Sequence, residues 1–154
     1  MNVILMKKIN FIFVSVFILV FHILIFAQDK RYTHGAENGY MWIDFEKYSI
    51  MRDMKYDYLS SMLERQRVIN LFQFNIDSLG CRDDIKNLLE QNKSNDLDLN
   101  MMVKKIDQFY SDDKLRIVPI AFAYCYCIKE LSGRPKKELA EYLMKILKFS
   151  ESEQ

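Results

Sequence analysis

The chain has 154 residues, with 22 lysines and arginines against 21 acids, a formal net charge of +1, and half its residues hydrophobic. Near neutrality with interleaved signs excludes the basic face that nucleic acid requires and offers no electrostatic footprint for an anionic membrane surface. Two prolines, four glycines and no sustained two-residue alternation exclude a sheet-dominated fold, leaving helices to carry the chain.

Lys7 and Lys8 precede an almost wholly apolar run from Ile9 to Phe26, broken only by Asn10, Ser15 and His22, with Ala27 just before Gln28. Charge, apolar stretch and small residue in that order are the pattern of a secretory signal cleaved after Ala27. The run is long for a signal, whose apolar region spans about 7–15 residues. It is short for a membrane span of roughly 20. Residues 1–27 are therefore expected to be a signal peptide or, alternatively, an uncleaved anchor. The protein is expected to be exported, periplasmic or extracellular, and to meet a membrane only through residues 9–27 if these are retained. The length beyond Ala27 suits one domain.

Residues 28–38 read as a flexible, polar lead-in. Asn38-Gly39 marks a turn, followed by the aromatic group Tyr40, Met41 and Trp42. Asp44 is a candidate N-cap for a long helix reaching about Phe72. In it Met51, Met54, Tyr58, Met62 and Ile69 recur at three- and four-residue steps, with Arg52, Lys55, Glu64, Arg65 and Arg67 mostly opposite. Residues 75–80 form a loop. A short helix over 82–91 turns Ile85, Leu88 and Leu89 inward, and 92–96 is a polar connector. Asp96 or Asp98 caps the next helix, whose stripe is Leu99, Met102, Val103, Ile106, Phe109 and Tyr110, and which stops at Ser111-Asp112-Asp113. Pro119 fits the first turn of another helix. Residues 117–128 are apolar all round, which places that helix at the centre. Ser132-Gly133 ends it, and Pro135 opens a last helix with Leu139, Tyr142, Leu143, Ile146 and Leu147 as its core face. The expected fold is all-α: a compact bundle of about five helices over 39–148, after an N-terminal signal or anchor helix and before a disordered tail at 149–154.

In an exported chain the first expectation for Cys81, Cys125 and Cys127 is a disulfide. Cys125 and Cys127 lie about 200° apart around a helix and are poorly placed to pair with each other. Cys81 would therefore pair with Cys125 or Cys127. The alternative is that all three are small buried apolar groups. A catalytic cysteine lacks a base, because His34 is the one histidine outside the signal segment. There is no Cys-x-x-Cys, and Asp83-Asp84 and Asp112-Asp113 lack calcium-loop spacing, so each pair reads as a helix cap or a solvated turn. Phosphate-cradling glycine loops and a Gly-x-Ser-x-Gly elbow are absent. No catalytic residue, cofactor or metal is expected.

The most individual segment runs from Ile106 to Pro119. One reading is a helix–helix corner in which Arg116 pairs with Asp112 or Asp113. The other is a rim: Asp107, Tyr110 and Arg116 flanking a groove together with Tyr40 and Trp42, a combination of aromatics, arginine and carboxylates suited to binding another protein.

The pattern Gly39-Tyr-Met-Trp42, Lys55 and Tyr58 on a helix, Asp107-x-Phe-Tyr110-Ser-Asp, Arg116, Pro119 and Gly133-x-Pro135 resembles a family of small exported bacterial helical proteins. That family is distantly similar to the periplasmic immunity proteins that neutralise amidase toxins of type VI secretion. The chain departs from the pattern at Ser60-Ser61-Met62, where a small or glycine-rich stretch is usual after the Tyr58 position, and at Leu115, where asparagine is usual. The resemblance implies an exported helical protein that is not an enzyme. The functional expectation is a bacterial envelope protein that acts by binding another protein, immunity-like only through that resemblance. The alternative is a membrane-anchored structural or stress-response module, and a carboxylate-based hydrolase stands third.

Overall fold

The computed structural model describes residues 29–48, 53–68, 80–92 and 97–152. The signal or anchor expected at 1–27 lies outside the described residues, as do most of the 75–80 loop and the 92–96 connector.

Residues 29–38, expected as a flexible lead-in, form a small antiparallel hairpin. Strand β1 is Tyr32–Thr33 and β2 is Ala36–Glu37, paired Tyr32 with Glu37 and Thr33 with Ala36. His34 and Gly35 between them both have positive φ, 49° and 74°. That is the backbone of a two-residue hairpin turn matched to strand twist, and histidine and glycine tolerate it better than most residues. The hairpin is docked on the helices. Thr33 Oγ1 donates to the Ile117 carbonyl at 2.7 Å, and Asn38 bridges to Pro119.

Six α-helices are present among the described residues. They are α1 Gly39–Tyr48, α2 Met54–Val68, α3 Arg82–Asn92, α4 Leu99–Tyr110, α5 Ile120–Leu131 and α6 Lys136–Glu151, with a short 3₁₀ turn Asp113–Leu115 between α4 and α5. The all-α bundle expected from the sequence is therefore present, but its first long helix is two. Asn38, not Asp44, begins α1: its Oδ1 accepts from the Tyr40 N–H at 3.0 Å and its carbonyl from the Trp42 N–H. Asp44 sits inside α1 and pairs with Lys47 at 2.6 Å. Asp53 is not helical, and its Oδ1 accepts from the Tyr56 N–H at 3.1 Å, capping α2. A cap at that point lets α2 pack on α1 instead of continuing it.

Downstream the apolar periodicity and the structure agree closely. Asp98 caps α4, accepting from the Asn100 and Met101 N–H groups. Met102, Ile106, Phe109 and Tyr110 are buried. Pro119 and Pro135 each stand immediately before the first residue of α5 and α6. Helix α5 is central, packing against α3, α4 and α6, and α4 in turn carries α2. Its Ile120, Ala123, Tyr124, Cys125, Cys127 and Ile128 are all buried. Trp42, Leu59, Met102, Ile106, Val118 and Ile128 meet in one core.

The C-terminal tail expected as disordered from Phe149 continues α6 to Glu151. Phe149 lies between the rings of His34 and Phe122, with centroids 4.3 and 5.3 Å away, and Ser150 is buried with its hydroxyl on the Ile146 carbonyl. Tertiary contact with the hairpin supplies the order that local composition does not.

Candidate functional site

The corner between α4 and α5 is built by short-range hydrogen bonds. Ser111 Oγ donates back to the Gln108 carbonyl, and Asp112 Oδ1 accepts from the Lys114 N–H at 3.0 Å to start the 3₁₀ turn. Arg116 folds over the turn. Its Nε donates to the Tyr110 carbonyl at 3.2 Å, and its guanidinium pairs with Asp113 Oδ1 at 2.6 Å. The partner of Arg116 is thus Asp113, one of the two acids the sequence offered.

Two of the five residues expected to line a rim are in the core instead. Tyr110 is 1 % exposed, its hydroxyl donating to the Val118 carbonyl at 2.9 Å. Trp42 is fully buried, and its Nε1–H donates to Asp107 Oδ1 at 2.8 Å. Neither can touch a partner in the folded protein. Their rings carry too much apolar area to stay at the surface when a core position and a hydrogen-bond acceptor are both within reach. Gly39 shows how tightly this end closes. A methyl group on its Cα would stand 2.4 Å from the Tyr110 ring and 2.8 Å from the Arg116 Cα. The Gly39 N–H donates to the Arg116 carbonyl at 2.9 Å, so α1 begins against the corner.

Tyr40 is half-buried, with the Lys30 ammonium 5.1 Å from its ring centroid. Asp107 and Arg116 are the partly exposed members. The structure holds Asp107 in a network with Trp42, Lys55 and Glu46, and it pairs Arg116 with Asp113.

Lys55 was expected on the solvent side of its helix, yet only 8 % of its side chain is exposed. Its ammonium donates to Asp107 Oδ1 and Glu46 Oε1, both at 2.6 Å, and stands 5.5 Å from the Trp42 ring centroid. Burial pulls its pKa down, but the two carboxylates outweigh that and the net shift is upward. One carboxylate, Asp107, therefore ties α1, α2 and α4 together. The Tyr58 hydroxyl donates to Glu37 and so links α2 to the hairpin.

A second polar hub lies at the far side of α5. Asp84 is 1 % exposed and accepts from Lys129, Ser132 and Arg134, while Lys129 also donates to the Gly80 carbonyl. Burial alone would raise the Asp84 pKa, but hydrogen bonds from Arg134 and Lys129 more than offset it and hold the carboxyl below its ordinary value. The sequence reading of Asp83-Asp84 as a cap or solvated turn does not hold for Asp84. No signal in the local sequence separates it from Asp83, because its partners lie 45 to 50 residues away. Beside this hub is an open depression of about 260 Å³ lined by Lys129, Arg134, Glu138, Glu141, Tyr142 and Lys145.

Cys81 and Cys125 are joined by a disulfide, with Cα atoms 5.5 Å apart, and both are fully buried. Cys127 is a buried free thiol whose pKa burial pushes up to about 12. His34, the one histidine outside the segment read as a signal, places its Nε2 2.8 Å from the Phe149 carbonyl.

Comparison with known proteins adds no neighbour: no family model, no curated protein and no solved structure matches the chain.

Proposed function

We propose that this is an exported, non-enzymatic helical protein of the bacterial envelope that acts by binding another protein. The observation that carries the exported reading is the Cys81–Cys125 disulfide. Such a bond persists in oxidising compartments and is rare in the cytosol, and it comes after a segment that reads as a signal at 1–27. The binding reading draws on partly exposed groups: half-buried Tyr40, Asp107 held by Trp42 and Lys55, and Arg116 paired with Asp113. Charges of that kind set orientation and encounter rate in a protein complex. Among the described residues, Cys127 is buried as a thiol, His34 clasps α6 and Asp84 is ion-paired. Likeness to immunity proteins supports the same class of function through the resemblance alone.

The test uses the tagged full chain in its host. Intact mass of the envelope-associated protein is expected to show loss of residues 1–27 and one disulfide. Capture under the same conditions is expected to bring one stoichiometric protein that Tyr40→Ala with Arg116→Ala releases. Retention of that protein by the double variant would remove the corner as the binding face. A full-length mass would turn the reading to the second one, a membrane-anchored structural or stress-response module.

A further inference from the structure

We propose that the Cys81–Cys125 bond is a compartment-dependent latch that holds α3 on α5, so that the domain completes its fold only where an oxidant is present. The inference starts from how α3 is attached. It packs chiefly on α5. Among the described residues, its covalent and polar links to α5 and the segment after it lie at its N-terminal end: the disulfide at Cys81, the Lys129 bond to the Gly80 carbonyl, and the Asp84 hub with Lys129, Ser132 and Arg134. Beyond that turn α3 offers Leu88 to the core, with Ile85 half-buried against it, and its remaining surface is mostly exposed polar side chains.

The other helices are held differently. Helices α4, α5 and α2 share a broad apolar interior through Leu59, Met102, Ile106, Ala123 and Ile128, and α6 adds Ile146. Loss of the bond therefore bears first on α3, whose apolar stripe is short. The ion pairs at Asp84 compensate only in part, because the desolvation of a buried carboxylate offsets some of their attraction.

The bond forms by exchange with an external disulfide. The Cys81 and Cys125 thiols are oxidised to one S–S bond, the external disulfide is reduced to two thiols, and the two protons pass to those thiols. Both cysteines are closed to solvent in the docked state. The exchange must therefore take place while α3 is lifted, and docking completes as the bond closes. The latch depends on the exported reading only for where the chain meets its oxidant.

The experiment compares the oxidised full chain with the same chain reduced by a dithiol and alkylated, and with Cys81→Ser/Cys125→Ala. The readout is amide hydrogen exchange, segment by segment. Without the bond, residues 82–92 are expected to lose at least about tenfold more protection than 99–110, 120–131 and 136–151. Cys127→Ser is expected to keep the oxidised pattern. Unchanged protection of 82–92 would overturn the latch, because the apolar and ionic contacts would then suffice. Equal loss in all helices would overturn it too, since the bond would be a staple of the whole fold. So would a Cys127→Ser variant that frees 82–92. A full-length intact mass from the host would count against cleavage of the signal and leave the exchange result standing, so the two readings fail separately.

Discussion

At the scale of single residues, Asp107 has the widest reach, serving the Trp42 indole and the Lys55 ammonium from one oxygen. Truncating it leaves a nearly buried cation with one partner and a buried indole N–H with none. Asp107→Ala is expected to cost about 2–3 kcal/mol in urea unfolding, and Asp107→Asn clearly less, because the amide oxygen still accepts from Trp42. Lys55→Met should cost less than Asp107→Ala, since the carboxylates it leaves behind are partly hydrated. Gly39→Ala is expected to destabilise by about 1–3 kcal/mol through overpacking against Tyr110 and the Arg116 backbone. A temperature melt of that variant equal to the parent would show that the corner can yield.

Asp84 makes a prediction about pH. Its carboxyl sits below the ordinary value in the folded protein, so the stability it contributes is present above the unfolded value of about 3.9. That stability is lost as pH falls through the folded value. The gap in urea midpoint between the parent and Asp84→Asn is therefore expected at neutral pH and should shrink steadily below about pH 4. A gap that stays constant on acidification would mean that the hub does not depend on the charge of Asp84.

At the scale of elements, the hairpin and the first helix are one unit through Asn38. Its Nδ2 donates to the Lys30 carbonyl at 2.8 Å and to Thr33 Oγ1 at 2.9 Å, while its Oδ1 caps α1. Asn38→Asp keeps the cap and turns the donor end into an acceptor facing another acceptor. It is expected to cost about 2–3 kcal/mol, more than a lost cap alone at about 1. Hydrogen exchange should locate the loss in 29–48 and spare α6. The split between α1 and α2 has the same local origin. The apolar steps at Met54, Tyr58 and Met62 mark a helical face, but Asp53 bonds the Tyr56 N–H and starts a new helix there. A carboxylate inside a periodic pattern reads equally well as a solvated helix residue, which is why periodicity predicts one helix from Asp44 to Phe72.

At the scale of the molecule, the disulfide closes a separation of 44 residues, for which loop-closure entropy suggests about 4 kcal/mol. The oxidised chain is expected to unfold at a higher urea concentration than the reduced one, with a shift that corresponds to about 2–4 kcal/mol. A shift near zero would mean that the reduced chain retains the same loop by other contacts. The hairpin completes the closure by joining Thr33 to Ile117 and His34 to Phe149, contacts that span most of the domain.

Periodicity alone specified α4, α5 and α6 and the centrality of α5, because a stripe or a wholly apolar run can be buried only one way around a helix axis. Pro119, Gly133 and Pro135 set the ends of α5 and the start of α6 for the same local reason. Tertiary structure decided the rest. Trp42 and Lys55 are buried because a distant acceptor, Asp107, meets their polar atoms. Cys81 pairs with Cys125 because α3 reaches that face of α5, a choice that spacing left open between Cys125 and Cys127. Residues 29–38 and 149–151 are ordered because each meets the other, and such pairing across more than a hundred residues leaves no mark on the local composition of either end.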